Sequence, residues 1–277
     1  MRGAALPEGV IIFGFDSAWV DAPASPGAIC ALGLDPGGGP VFHAPRPASF
    51  AQAAAFIGEL GAGYACSLVA IDQPIVVPNA RGSRPADRVA ASLMSFIGGG
   101  VQPANRGKAR MFGDQAPIWG FLDAIAHARR PMAARHAAAG RFVIEVFPAL
   151  SLPALDPGFA GRLAAPKYNP GNRRKFRQEH WVAVARSLAD ASRALGLPAL
   201  CDWAEDMARL QMPRKADQDR LDAALCALIG LIWRAGPAHA AACIGDEETG
   251  FIVTALSQAI RPRLAAAAQA RGVAFRA

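Results

Sequence analysis

Two stretches of this chain are apolar at almost every position and then end in an aspartate: VIIFGFD (10–16) and CSLVAID (66–72). Such a run leaves no face for water, so it reads as a strand covered on both sides. Between them lie GAICALGL, the turn DPGGG and PVFHAP, which read as a hairpin. ASFAQAAAFIGELGAG follows as a helix, with Ser49 and Gln52 spaced as a capping box and Gly61 as a stop. The order is β-β-β-α-β. A helical crossover makes the strand ending at Asp72 parallel to one already in the sheet. With the first strand as its neighbour, Asp16 and Asp72 emerge side by side at the carboxyl edge, where open α/β sheets bind ligands.

Further along, helices are predicted near 85–97 and 117–129, and RFVIEV is a third buried strand that carries Glu145. Residues 151–175, rich in Pro, Gly and basic side chains, read as a long surface loop, and QEHWVAVARSLADASRALG as an amphipathic helix ending at Gly196. ADQDRLDAALCALIGLIWRAG is apolar almost all round and so a buried helix, and EETGFIVTAL a small terminal strand. With no repeat, low-complexity tract or linker, residues 1–277 are expected to form a single α/β domain. Insertions are expected at about 79–140 and 151–180.

The buried helix holds the second anomaly. Asp219 and Asp222, three apart, share a face. Aspartate is a poor former of helix interiors, and a buried charge is costly unless paired or metal-bound. Asp219 has a simpler reading as an acid in a first turn favoured by the helix dipole, and Asp217 reads as the N-cap. Glu145 has two readings, a site carboxylate or the partner of an arginine on a neighbouring helix. Asp16, Asp72, Glu145, Asp219 and Asp222 are the candidate catalytic residues. Clustered carboxylates stay ionised together only with a cation, and hard oxygen donors suit Mg²⁺ or Mn²⁺. Asp16, Asp72 and Asp222 are the expected metal ligands.

The net charge of +7 favours acidic partners. Arg84 and Arg88 in SRPADRVA either grip phosphates or make local ion pairs with Asp87. The run KYNPGNRRKFRQ offers Lys167, Arg173, Arg174 and Lys175 to a phosphate backbone, with Tyr168 and Phe176 interleaved for base stacking; a solvated loop is the simpler reading. The five cysteines are scattered without a C-x-x-C, which argues against a disulfide framework or zinc knuckle. No apolar run is long enough for a bilayer of roughly 30 Å. With no signal-peptide pattern, a cytoplasmic location is expected. Neither a G-x-x-x-x-G-K-[ST] loop nor a G-x-S-x-G elbow occurs.

The pieces GFDSAW, AIDQPI, SRPADR, EVFP, DRLDAALCA and TGFIV, in this order along nearly the whole chain, resemble the predicted nucleases known as domain of unknown function 429, within the RNase H-like superfamily. The resemblance implies an RNase H-like mixed sheet with a β-β-β-α-β-α-β core, helices on both faces and inserted helical segments. It implies that Asp16 and Asp72 are strand carboxylates and Asp219 and Asp222 a helix pair. The expected function is metal-dependent hydrolysis of phosphodiester bonds in nucleic acid by a two-metal carboxylate mechanism. Two rivals remain. One is a binding module for nucleic acid or nucleotides that lacks catalysis. The other is an ATP-dependent phosphotransferase, disfavoured because no second GFD-like strand and hairpin occurs. DNA and RNA are not distinguished, a homodimer is left open, and no membrane partner is expected.

Overall fold

The computed structural model describes residues 8–22, 24, 26–34 and 38–277. The first part of the DPGGG turn therefore lies outside the described residues. The strands and helices are β1 (Val10–Asp16), β2 (Gly27–Leu34), β3 (Pro40–Ala48), α1 (Phe50–Gly61), β4 (Cys66–Ile71), α2 (Pro85–Phe96), α3 (Ala109–Phe112), α4 (Pro117–Ile125), α5 (Pro131–His136), β5 (Gly140–Glu145), α6 (Pro148–Leu155), α7 (Gln178–Ala194), α8 (Pro198–Arg209), α9 (Lys215–Ala235), β6 (Ala241–Asp246), β7 (Gly250–Ala255), α10 (Arg261–Gln269) and β8 (Phe275–Arg276).

A five-stranded mixed sheet runs β3-β2-β1-β4-β5. β1 is antiparallel to β2 and parallel to β4, and β4 is parallel to β5. The crossover through α1 therefore brings β4 beside β1. Ser49 and Gln52 close the expected capping box at the start of α1.

Helices cover both faces. Phe13 and Phe15 of β1 point to one side, where Phe13 packs on Phe56, and Phe15 on Phe50 and Phe121. On the other side lies α9. At Gly14 a side chain would meet the Ala223 carbonyl oxygen at 2.0 Å, so only glycine lets the helix backbone seat on the strand. At Gly230, further along α9, a side chain would meet the Ile12 side chain at 2.9 Å and the Ala70 methyl at 3.1 Å. The helix thus runs antiparallel to β1, with its first turns over the carboxyl edge.

A second sheet, β7-β6-β8, packs with α2 and α10 around its own apolar cluster, which includes Val89, Leu93, Ile244 and Leu264. TGFIV is one strand of this sheet. Residues 198–209, not anticipated as a helix, form α8 against α7. The 151–175 region begins as the end of α6 before becoming irregular. No helix among the described residues is long and apolar enough to cross a membrane.

Candidate active site at the carboxyl edge

Side chains alternate across a strand, so Asp16 falls on the same face as Ile12 and Gly14, and Asp72 on the face of Leu68 and Ala70. Both aim at α9. The two are neighbours: the Asp72 amide donates to the Phe15 carbonyl at 2.9 Å. Asp222 precedes Ala223, the residue seated on Gly14, so it hangs over the same edge. Asp16, Asp72, Asp219 and Asp222 line one cavity of ≈ 380 Å³, together with Lys215, Gln218 and Trp19.

The electrostatics record this convergence. Burial pushes the Asp16 carboxyl well above the ordinary carboxylate value, and the charges of Asp222 and Asp72 push it further. Asp72 is raised by burial, then by Asp222 and Glu145. Burial lifts Asp222 from 3.8 to about 6, despite hydrogen bonds that favour its charged form. Those bonds come from the Tyr168 hydroxyl at 2.7 Å and the Gln218 amide at 2.8 Å. Among the described residues, the Asp16 and Asp72 carboxylates make no hydrogen bond or ion pair; only charge reaches them.

Lys215 is the cation that faces the cluster. It ion-pairs with Asp219 one turn on. Burial works against its charge, but Asp16, Asp219 and Asp222 outweigh it and raise its pKa. The helix starts at Lys215 with Arg214 as its N-cap, so Asp217 is the third residue of the first turn and accepts from the Arg214 amide. Asp219 then belongs to the second turn, beyond the position where the dipole alone accounts for it.

Glu145 ends the neighbouring strand but is in register with Ile71, one residue short of Asp72. Alternation therefore turns it from the α9 face. It meets Arg84, whose two terminal nitrogens donate to the Glu145 oxygens at 2.7 and 2.6 Å. Arg84 also bonds Asp87 at 2.7 Å and the Val76 carbonyl at 3.1 Å. It is 1% exposed, so its donors are committed inside the protein. Arg88 stands exposed on α2, apart from this network.

The basic residues divide similarly. Arg173, Arg174 and Lys175 are exposed. Lys167 donates to the Gly98 carbonyl at 2.6 Å, and with Lys175 and Phe176 it lines a groove of ≈ 380 Å³ beside Gly98–Gly100. Tyr168 lies in that groove's wall, but its hydroxyl is committed to Asp222, so it joins the basic loop to the acid cavity instead of offering a free ring.

Sequence reasoning missed Lys215, Gln218 and Tyr168 as members of the site. Lys215 and Asp219 are four apart, a spacing that marks a helical ion pair. Gln218 and Asp222 share the same spacing. Nothing local marks Tyr168, whose partner lies 54 residues away.

A family model described as "Protein of unknown function (DUF429)" matches residues 15–249. The chain belongs to this family. The segment matched to DUF429 begins one residue before Asp16 and takes in Asp72, Glu145 and Asp222, the acids of the sheet edge and of α9. The comparisons with curated proteins and with solved structures returned no match.

Among the described residues, no three His, Cys, Asp or Glu side chains stand close enough together to hold a metal as they are placed. The donors of the set are hard oxygens, the kind a divalent cation takes. Four carboxylates share one cavity, and the buried Gln218 Oε1 at its wall has no partner. An orphaned buried acceptor beside repelling carboxylates can be satisfied by a water or by a cation.

Proposed function

We propose that this DUF429 protein is a Mg²⁺- or Mn²⁺-dependent nuclease on an RNase H-like sheet, with Asp16, Asp72 and Asp222 as the metal ligands. The observation that carries the reading is the delivery of three carboxylates to one cavity by two adjacent parallel strands and the helix seated on them. The strand order, with three antiparallel strands followed by two parallel ones, supports the RNase H-like assignment. When bound, the metal would supply a water activated at neutral pH and positive charge for the leaving oxygen.

The chain's own residues do the rest. Tyr168 and Gln218 fix the Asp222 carboxylate and favour its charged form. Lys215, which shares the acid cavity, offers an ammonium to a phosphate oxygen or to the charge that develops on it. Arg173, Arg174 and Lys175 are the exposed cations for flanking phosphates. Glu145 acts at one remove: bound to Arg84, it adds negative charge behind Asp72.

The test is cleavage of labelled DNA and RNA with Mn²⁺ and with chelator. Asp222→Asn keeps the shape and should lower the rate by about a hundredfold or more while the protein stays folded. Unchanged cleavage overturns the reading.

One observation favours a second reading, a binding module without catalysis. Lys215 already sets a positive charge among the acids, where a metal-free site needs one. Salt-sensitive binding of nucleic acid with no cleavage under any divalent cation would select it.

A further inference from the structure

Asp72 and Trp19 line not one cavity but two. The second, of ≈ 210 Å³, opens on the other side of Asp72 and is bounded by Pro74, Val101, Phe147 and Gln102. Its volume falls below the roughly 300 Å³ of sites for whole drug-sized ligands and far exceeds the roughly 30 Å³ of one water, so it suits a single ring system. Its floor is the Arg84–Asp87–Glu145 network, in which the arginine's donors are already spent on two carboxylates. One cation against two anions gives the floor no free positive charge, which disfavours a phosphate or any other anion.

What remains is a flat, uncharged occupant with a polar edge. Trp19 and Phe147 supply aromatic surface. The exposed Gln102 supplies an amide that can both donate and accept. Trp19 is held firmly for such a role. Its backbone is left-handed, with φ of 48°, a strained state for a bulky residue. Its indole nitrogen donates to the Asp72 carbonyl at 2.8 Å, and its ring meets Phe112 edge-on at 5.6 Å. The Gln73 side chain adds a bond to the Trp19 carbonyl at 3.3 Å. The segment after Asp16 is thus clasped to the segment after Ile71, and the indole stands between the two cavities. Gly100, on the far rim, also borders the groove of Lys167 and Lys175.

We infer that the cavity between Trp19, Phe147 and Gln102 receives one unstacked nucleobase of a single strand whose adjoining phosphate lies at Asp72. The inference rests on the nuclease or nucleic-acid-binding reading and narrows its substrate to unpaired nucleotides. A base in a paired duplex cannot enter without leaving its stack. Stacking on aromatic side chains accepts any base, so the pocket selects strandedness over sequence.

The experiment measures affinity, in chelator, for short single strands of DNA and RNA and for their blunt duplexes. The proteins are the wild type, Val101→Phe, which fills the cavity, and Gln102→Ala, an exposed change that leaves packing intact. Wild type should prefer a single strand to its duplex. Val101→Phe should weaken single-strand binding about tenfold and leave duplex binding alone, and Gln102→Ala should weaken it by less in the same sense. Equal affinity of folded Val101→Phe and wild type for every single strand overturns the base pocket. So does a loss that is as large for duplexes. Should Val101→Phe fail to fold, Gln102→Ala decides on the same criterion. Because chelator removes cleavage from the measurement, a selective loss of single-strand binding supports the pocket even if no substrate is ever cut. Mn²⁺-dependent cleavage that both variants leave untouched on single strands overturns the pocket and leaves the nuclease standing.

Discussion

The carboxyl edge of one sheet carries two sets of buried acids, and the protein gives only one of them a cation at hydrogen-bond distance from every carboxylate. On β5, Glu145 is held by both terminal nitrogens of Arg84, and Asp87 takes the same guanidinium from the other side, so each charge has a partner at hydrogen-bond distance. One strand away, Asp16, Asp72 and Asp222 share a cavity with a single half-exposed lysine whose bond goes to Asp219. Burial is similar at the two places: Asp16 is 9% and Glu145 3% exposed. The difference teaches that the fold can pair strand-end acids here with a buried cation. Where it leaves them short of positive charge, the missing charge is expected from a ligand.

The largest way to break the comparison is to remove the arginine. Arg84→Met leaves Asp87 and Glu145 buried without their cation, and denaturant unfolding should show a loss of about 3 to 5 kcal/mol. A change below about 1 kcal/mol would mean that the network is not what balances these acids.

The opposite sign is expected at the other set. The Asp222 carboxyl sits at about 6 in the fold against 3.8 for the free group, roughly two units, so burying it charged costs about 3 kcal/mol. A raised folded pKa leaves stability intact below the unfolded value and removes it as pH rises through the folded one. Asp222→Asn should therefore match wild type near the ordinary carboxylate pKa and exceed it by up to about 3 kcal/mol above pH 6, in metal-free buffer. A difference independent of pH contradicts the argument from burial.

Lys215→Met removes the lysine from the acid cavity. Half-exposed as it is, it should cost at most about 1 kcal/mol at neutral pH. The smallest effect on folding belongs to Arg173→Ala, Arg174→Ala and Lys175→Ala combined. The residues are exposed, so the melting temperature should hold. The dependence of single-strand affinity on salt should flatten by about 2 in logarithmic slope if all three meet phosphates. An unchanged slope makes that loop an ordinary solvated surface.

What the sequence made legible follows from locality. An apolar run that ends in an acid is a local signal, so Asp16 and Asp72 could be placed at one edge once the α1 crossover fixed the parallel pairing. Asp222 was legible because charge inside an apolar helix is anomalous wherever the helix packs. The pairing of Arg84 with Glu145 spans 61 residues and leaves no periodic trace, so sequence alone kept both readings of Glu145 open. Helix α8 was obscured because Pro198 invites the reading of a break, whereas it occupies the first turn, where a missing amide hydrogen costs nothing. Tyr168 was hidden by its basic neighbours, which suggested an exposed ring, while its hydroxyl turns in to Asp222.

The central claim is that the acid cavity, unlike the Arg84 network, is built to take a divalent cation. The most direct measurement is the melting temperature as Mn²⁺ is added to wild type and to an Asp16→Asn, Asp72→Asn double variant. The wild type should rise steadily with Mn²⁺, as binding to the folded state alone requires. The double variant, relieved of repulsion, should start at least as high and stay flat. A wild type that does not respond, or a double variant that responds equally, would contradict the claim.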